Sequence, residues 1–82
     1  MEGLTLVTAT DCHLCEHART VLDALGVEAR EVRVDSAAAG VLAARGVPLA
    51  FLPVLTDGER VLAYGRFSER RLRRELALET AP

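Results

Sequence analysis

Apolar and polar residues alternate along this chain with two different periods, and the switches between them mark seven elements. Leu4 to Thr8 is a short run of apolar and β-branched residues between Gly3 and the polar pair Thr10-Asp11, which predicts a first, largely buried strand. From Leu14 the apolar positions Leu14, Ala18, Val21, Leu22 and Leu25 recur at helical spacing, and Gly26 follows. The second element is therefore a helix over about His13 to Leu25, ended by a glycine that readily turns left-handed. Glu28 to Val34 alternates, with Val32 and Val34 on one face and Glu31 and Arg33 on the other, before Asp35-Ser36 supplies a helix N-cap. The helix that follows, about Ala37 to Arg45, is alanine-rich and ends at Gly46. Gly40 inside it costs about 1 kcal/mol relative to alanine.

The segment from Gly46 to Leu55 contains Pro48 and Pro53, which rule out a helix and leave room for only a short third strand, at about Val54 to Thr56. Asp57-Gly58 reads as a two-residue turn, and Val61 to Tyr64 completes an antiparallel hairpin that Gly65 closes. Ser68 caps a last helix running to about Leu78, with Phe67 before the cap and Leu72 at the fourth helical position forming a hydrophobic staple. The order is a βαβ unit with parallel strands and a right-handed connection, then a hairpin and a closing helix. The expected fold class is α/β, in one domain without internal repeat or linker.

Size and composition narrow this further. Eighty-two residues, half of them apolar, supply one packed core. With only Phe51, Tyr64 and Phe67 as aromatics, that core must be built from Leu, Val and Ala. A net charge of −2, with acids and bases interspersed, argues against nucleic acid or an anionic membrane as partner. No stretch approaches the roughly 20 apolar residues of a membrane-spanning helix. Met1 to Val7 lacks both the basic leader and the long apolar run of a signal peptide, so a soluble, cytoplasmic protein is expected.

The chemistry is concentrated in Cys12-His13-Leu14-Cys15. A bond between these cysteines closes too small a loop to staple a fold, so a purely structural disulfide is not expected. The pair falls between a buried strand and an amphipathic helix, which puts Cys12 at the helix N-terminus and Cys15 in its first turn. Free backbone N–H groups and the positive end of the helix dipole stabilise a thiolate there. Cys12 is thus the expected nucleophile and Cys15, one turn on, the resolving thiol. His13, when protonated, would stabilise the Cys12 thiolate, and Asp11 would oppose it by like-charge repulsion. His17 is expected as an exposed polar residue on the surface of the helix.

Thr8 to Cys15, the helix after them, Leu52-Pro53-Val54-Leu55, Asp57-Gly58 and Tyr64-Gly65-Arg66-Phe67 together resemble the small glutaredoxin-like proteins of the thioredoxin superfamily, over about Leu4 to Leu78. The resemblance implies a thioredoxin-like fold, a central four-stranded mixed sheet flanked by helices, and thiol–disulfide exchange with protein or small-molecule disulfides by a monomer that needs no resident cofactor. It further implies that Pro53 is cis and faces the cysteines, and that the backbone of Leu52 hydrogen-bonds an incoming chain. The chain departs from glutaredoxins proper in having His13-Leu14 between the cysteines, Asp11 where a basic residue is usual, and Gly65-Arg66-Phe67-Ser68 in place of a double glycine and an acid. These departures put glutathione binding by the usual residues in question, leaving glutathione as one candidate reductant.

Two rival readings remain at this point. One is a metal module, with zinc held by Cys12, Cys15, His13 and His17 or an iron–sulfur cluster bridging two subunits. The other is a partner-binding protein that has kept the fold without turnover, docking an acidic partner on Arg70-Arg71-Arg73-Arg74.

Overall fold

The computed structural model describes residues 3–77. Seven elements form in the expected order: β1 (Leu4–Thr8), α1 (His13–Ala24), β2 (Ala29–Arg33), α2 (Ala37–Ala44), β3 (Val54–Asp57), β4 (Arg60–Tyr64) and α3 (Glu69–Glu75). One mixed sheet holds the four strands in the order β2-β1-β3-β4, with β1 parallel to β2 and antiparallel to β3, and β3 antiparallel to β4. This is the α/β arrangement that the resemblance implied. Among the described residues no helix is long and apolar enough to cross a membrane.

Because side chains alternate along a strand, the central β1 serves both faces of the sheet. Leu6, with Leu55 and Leu62, packs against Ala18, Val21 and Leu22 of α1 and against Phe67 and Leu72 at α3. Val7, with Val32 and Val54, packs on the opposite face against Ala39 of α2 and Val47. The register that matches these layers sets Leu6 opposite Leu55, and Val7 opposite Val54 and Val32.

The helix ends follow from local chemistry. Ser36 Oγ accepts the Ala39 N–H and Ser68 Oγ the Arg71 N–H, each at 3.2 Å, so both serines cap their helices. Phe67 and Leu72 are buried together, as a hydrophobic staple requires. At the end of α1, Gly26 takes φ +69° and the Val27 N–H returns to the Leu22 carbonyl at 2.9 Å, which occupies one of the last orphan acceptors.

Two local expectations need correction. Asp57 pairs with both Leu4 and Arg60, so it belongs to β3, and the turn residues are Gly58-Glu59, one position later than Asp57-Gly58. Gly58 has φ +64° at the first turn position, where a hairpin with a single left-handed residue favours glycine. The hairpin also carries a bulge: Leu55 faces Ala63 but Thr56 faces Val61, leaving Leu62 as an extra residue in β4. The bulge turns both Leu62 and Ala63 toward the α1/α3 cluster while Val61 reaches the other face. Finally, α3 ends at Glu75, and Leu78, the expected end of that helix, lies outside the described residues.

Candidate active site

Register brings four chain segments to one end of the sheet. Thr8 ends β1 beside Arg33, Val54 begins β3 opposite Val7, and Tyr64 ends β4 opposite Val54. The loop into Cys12, the Leu52-Pro53 pair and Gly65 to Phe67 therefore share this end.

The approach to Cys12 is made through a left-handed residue. Asp11 has φ +56°, a conformation few side chains other than Asn and Asp adopt readily. It delivers Cys12 in extended conformation as the N-cap of α1. The Cys12 sulfur accepts the Cys15 N–H at 3.1 Å, and the Cys12 carbonyl receives the Cys15 and Glu16 N–H groups, each at 3.1 Å. A sulfur thus stands in the place usually taken by a serine or aspartate oxygen. Cys15, in the first turn, is fully buried whereas Cys12 is half-buried. Their Cα atoms are 5.1 Å apart and the sulfurs are joined as a disulfide. Asp11 and His13 flank the motif, both exposed.

The peptide bond between Leu52 and Pro53 is cis, and that before Pro48 is not. Pro53 is buried, and its carbonyl accepts the Gly65 N–H at 2.9 Å, tying the start of β3 to the loop that enters α3. Leu52 is half-buried, and its backbone N–H and C=O make no hydrogen bond within the described residues.

These observations decide the fold when set beside solved structures. The chain is similar to the glutaredoxin-like protein NrdH-redoxin from Escherichia coli, at 24% identity over 96% of this chain and 97% of that one, with a TM-score of 0.66. The fold is that of the glutaredoxin-like proteins. Glutaredoxin 1 from Francisella tularensis, solved with cacodylate, is similar at 16% identity over 95% of this chain and 98% of the other, with a TM-score of 0.63. No protein-family model and no curated protein matches the chain.

Within this glutaredoxin-like fold several side chains around the cysteines escaped the sequence reading. His17, expected to be solvated, is half-buried, and its Nε2 lies 3.2 Å from the Phe67 carbonyl oxygen. A carbonyl only accepts, so this bond places the ring proton on Nε2 and joins α1 to the loop before α3. On the other flank the Thr8 hydroxyl donates to Glu31 at 2.9 Å, while Arg19 meets the same carboxylate with two nitrogens at 2.9 and 2.6 Å. The hydrogen bond from Arg19, with help from Thr8, holds the Glu31 carboxyl below the usual carboxylate range, and the same bond holds the Arg19 guanidinium above its ordinary value. This strap fixes the last residue of β1 and the second turn of α1 to β2, one on each side of the cysteine loop. The signals for it, opposite charges on α1 and on the polar face of β2, have meaning only once the βαβ crossover is built.

Among the described residues, no three His, Cys, Asp or Glu side chains converge on a point that would hold a metal ion, and His17 is turned toward Phe67.

Proposed function

We propose that this protein is a thiol–disulfide oxidoreductase working through Cys12 and Cys15. The observation that carries this reading is the Cys12 sulfur acting as the N-cap of α1, within bonding reach of a buried Cys15. In the reduced protein the Cys12 thiolate attacks one sulfur of a substrate disulfide, forming a mixed disulfide and expelling the other sulfur as a thiolate. Cys15, after losing its proton, attacks the Cys12 sulfur and releases the second substrate thiol. Two electrons have then passed to the substrate, two protons from the protein and solvent complete its thiols, and the Cys12–Cys15 disulfide is left. An external thiol such as glutathione, or a reductase, returns the pair to the dithiol.

His13, when protonated, favours the Cys12 thiolate, and Asp11 opposes it by like-charge repulsion. Leu52, whose backbone groups have no partner among the described residues, offers main-chain hydrogen bonds to a substrate chain beside Pro53. The substrates are protein or small-molecule disulfides, and the protein acts as a cytoplasmic monomer without a resident cofactor.

Trapping tests the assigned roles. With a disulfide substrate, Cys15→Ser is expected to accumulate a mixed disulfide through Cys12 that mass spectrometry detects, and Cys12→Ser to accumulate none. In the reduced protein Cys12 is expected to react with iodoacetamide before Cys15, with an apparent pKa well below the usual cysteine value of about 8.5. Alkylation of Cys15 first would overturn the assignment.

A further inference from the structure

Charge along this chain is unevenly placed. Residues 66–75 hold five of the ten basic residues and two of the twelve acidic ones, which leaves that stretch net +3 and the remainder net −5. In the fold the positive stretch comes to a single place. It forms α3 and the loop leading into it, beside β4, and among the described residues β4 is an edge strand bonded only to β3 in the sheet. Among the described residues Arg73 is paired with Glu69, whereas Arg66, Arg70, Arg71 and Arg74 form no ion pair.

Between β4 and α3 runs a groove of about 330 Å³. Its wall along the strand is the segment Val61 to Tyr64, and its opposite wall carries Arg66 and Arg71, with the carboxylate of Glu75 at the far end of α3 leaving the lining net positive. Tyr64 also lines an apolar hollow of about 280 Å³ with Pro48 and Phe51. Tyr64 and Phe51 are 62% and 71% exposed, although in a chain with three aromatics burial would be the favoured use of both. Since Tyr64 pairs with Val54, next to Pro53, the groove opens at the end of the sheet that holds the cysteines.

We propose that the groove between β4 and α3 docks an extended acidic segment of the partner protein whose disulfide is exchanged, as an added strand beside β4 with its carboxylates on Arg66 and Arg71. An unpaired strand edge supplies main-chain hydrogen bonds to any extended chain, and the side chains around it decide which chains are accepted. Here the deciding groups are guanidiniums, which take carboxylates in a two-pronged fit. The aromatic hollow at Tyr64 receives an apolar side chain at the end of that segment near the disulfide. The surface selects by both attraction and repulsion, because a basic segment would meet unpaired arginines along its length. This inference rests on the thiol–disulfide reading and adds to it a preference among substrates.

The test measures reduction rates by the reduced protein for three disulfides: hydroxyethyl disulfide, which is small and neutral, and two peptides of equal length that hold the same disulfide beside either four Glu or four Lys. The acidic peptide is expected to be reduced at least about tenfold faster than the basic one at low ionic strength, with the preference collapsing as salt is raised past about 0.5 M. Arg66→Glu/Arg71→Glu is expected to reverse the order of the peptides and leave hydroxyethyl disulfide within about twofold. Arg30→Glu/Arg33→Glu on the opposite edge, with the same change in net charge, is expected to leave the order intact. Equal rates for the two peptides, or the same loss from both pairs of variants, would overturn the docking surface while exchange with hydroxyethyl disulfide stands. Failure to reduce any of the three would overturn the oxidoreductase reading itself, and the docking inference with it.

Discussion

The two faces of the sheet are unlike each other. One buries Leu6, Leu22, Leu55, Leu62, Phe67 and Leu72 between the strands and the pair α1 and α3, while the other holds Val7, Val32, Ala39, Val47 and Val54 beneath α2. Larger side chains remove more apolar surface from water, at about 25 cal/mol per Å², so the first face carries most of the stabilisation. From α2, Ala39 is buried and Ala38 and Leu42 pack partly buried against the cluster, whereas Val41 is half-exposed and Gly40 is unfavourable in a helix. Thr56 adds a cost, with a buried hydroxyl that has no partner among the described residues. The heavier face is also the one that bears the cysteines. α1 starts with Cys12 and is clamped from behind by leucines, which holds the first turn in place while the sulfurs change partners.

The largest expected effect tests this difference directly. Leu72→Ala should cost about 2–5 kcal/mol in urea unfolding, by lost burial and the cavity left behind, against about 1.5–2 kcal/mol for Val54→Ala on the lighter face. Equal losses would erase the distinction. Next comes a substitution that strengthens the lighter face. Gly40 sits in α2, and among the described residues an added Cβ would meet no atom within 4 Å beyond its chain neighbours and the helix's own backbone, so Gly40→Ala should stabilise the protein by about 1 kcal/mol, measured in the same unfolding experiment. The smallest effect concerns the polar strap on the heavier face. The Glu31 carboxyl is lowered in the folded state, so its contribution is present above the unfolded-state value of about 4.3 and is lost as pH falls through the folded one. Both partners are substantially exposed, which limits the ion pair to roughly 0.5 kcal/mol. Glu31→Gln should therefore be slightly less stable than the parent protein at pH 7, with the gap closing in acid unfolding below about pH 4.

What could be read in advance and what could not divides along physical lines. Ser36, Ser68 and the Phe67–Leu72 staple were legible because a cap is decided by residues within one turn of each other. Val32 and Val34 showed their face because a strand alternates whatever it pairs with, and both join the α2-side cluster. Pro53 came from resemblance, since nothing in the residues around it separates it from Pro48. The hairpin turn was misplaced by one residue because Asp57-Gly58 and Gly58-Glu59 are both workable local solutions, and only the pairing of Asp57 with Leu4 and Arg60 chooses between them. The bulge at Leu62 is likewise a matter of register. Of the site, the cysteine pair at the head of α1 was visible from motif and periodicity. The bonds of His17 to Phe67 and of Thr8 and Arg19 to Glu31 span 50, 23 and 12 residues, and no local pattern encodes them.

One consequence of the Cys12 cap concerns how the protein is dissected. The reactive sulfur is also the acceptor that starts α1, so replacing it alters architecture along with reactivity. Alanine at this position removes both, whereas serine is among the best capping residues and keeps the acceptor for the Cys15 amide. The serine substitution therefore isolates the loss of the thiol, and any further deficit in the alanine variant measures what sulfur contributes as a building element.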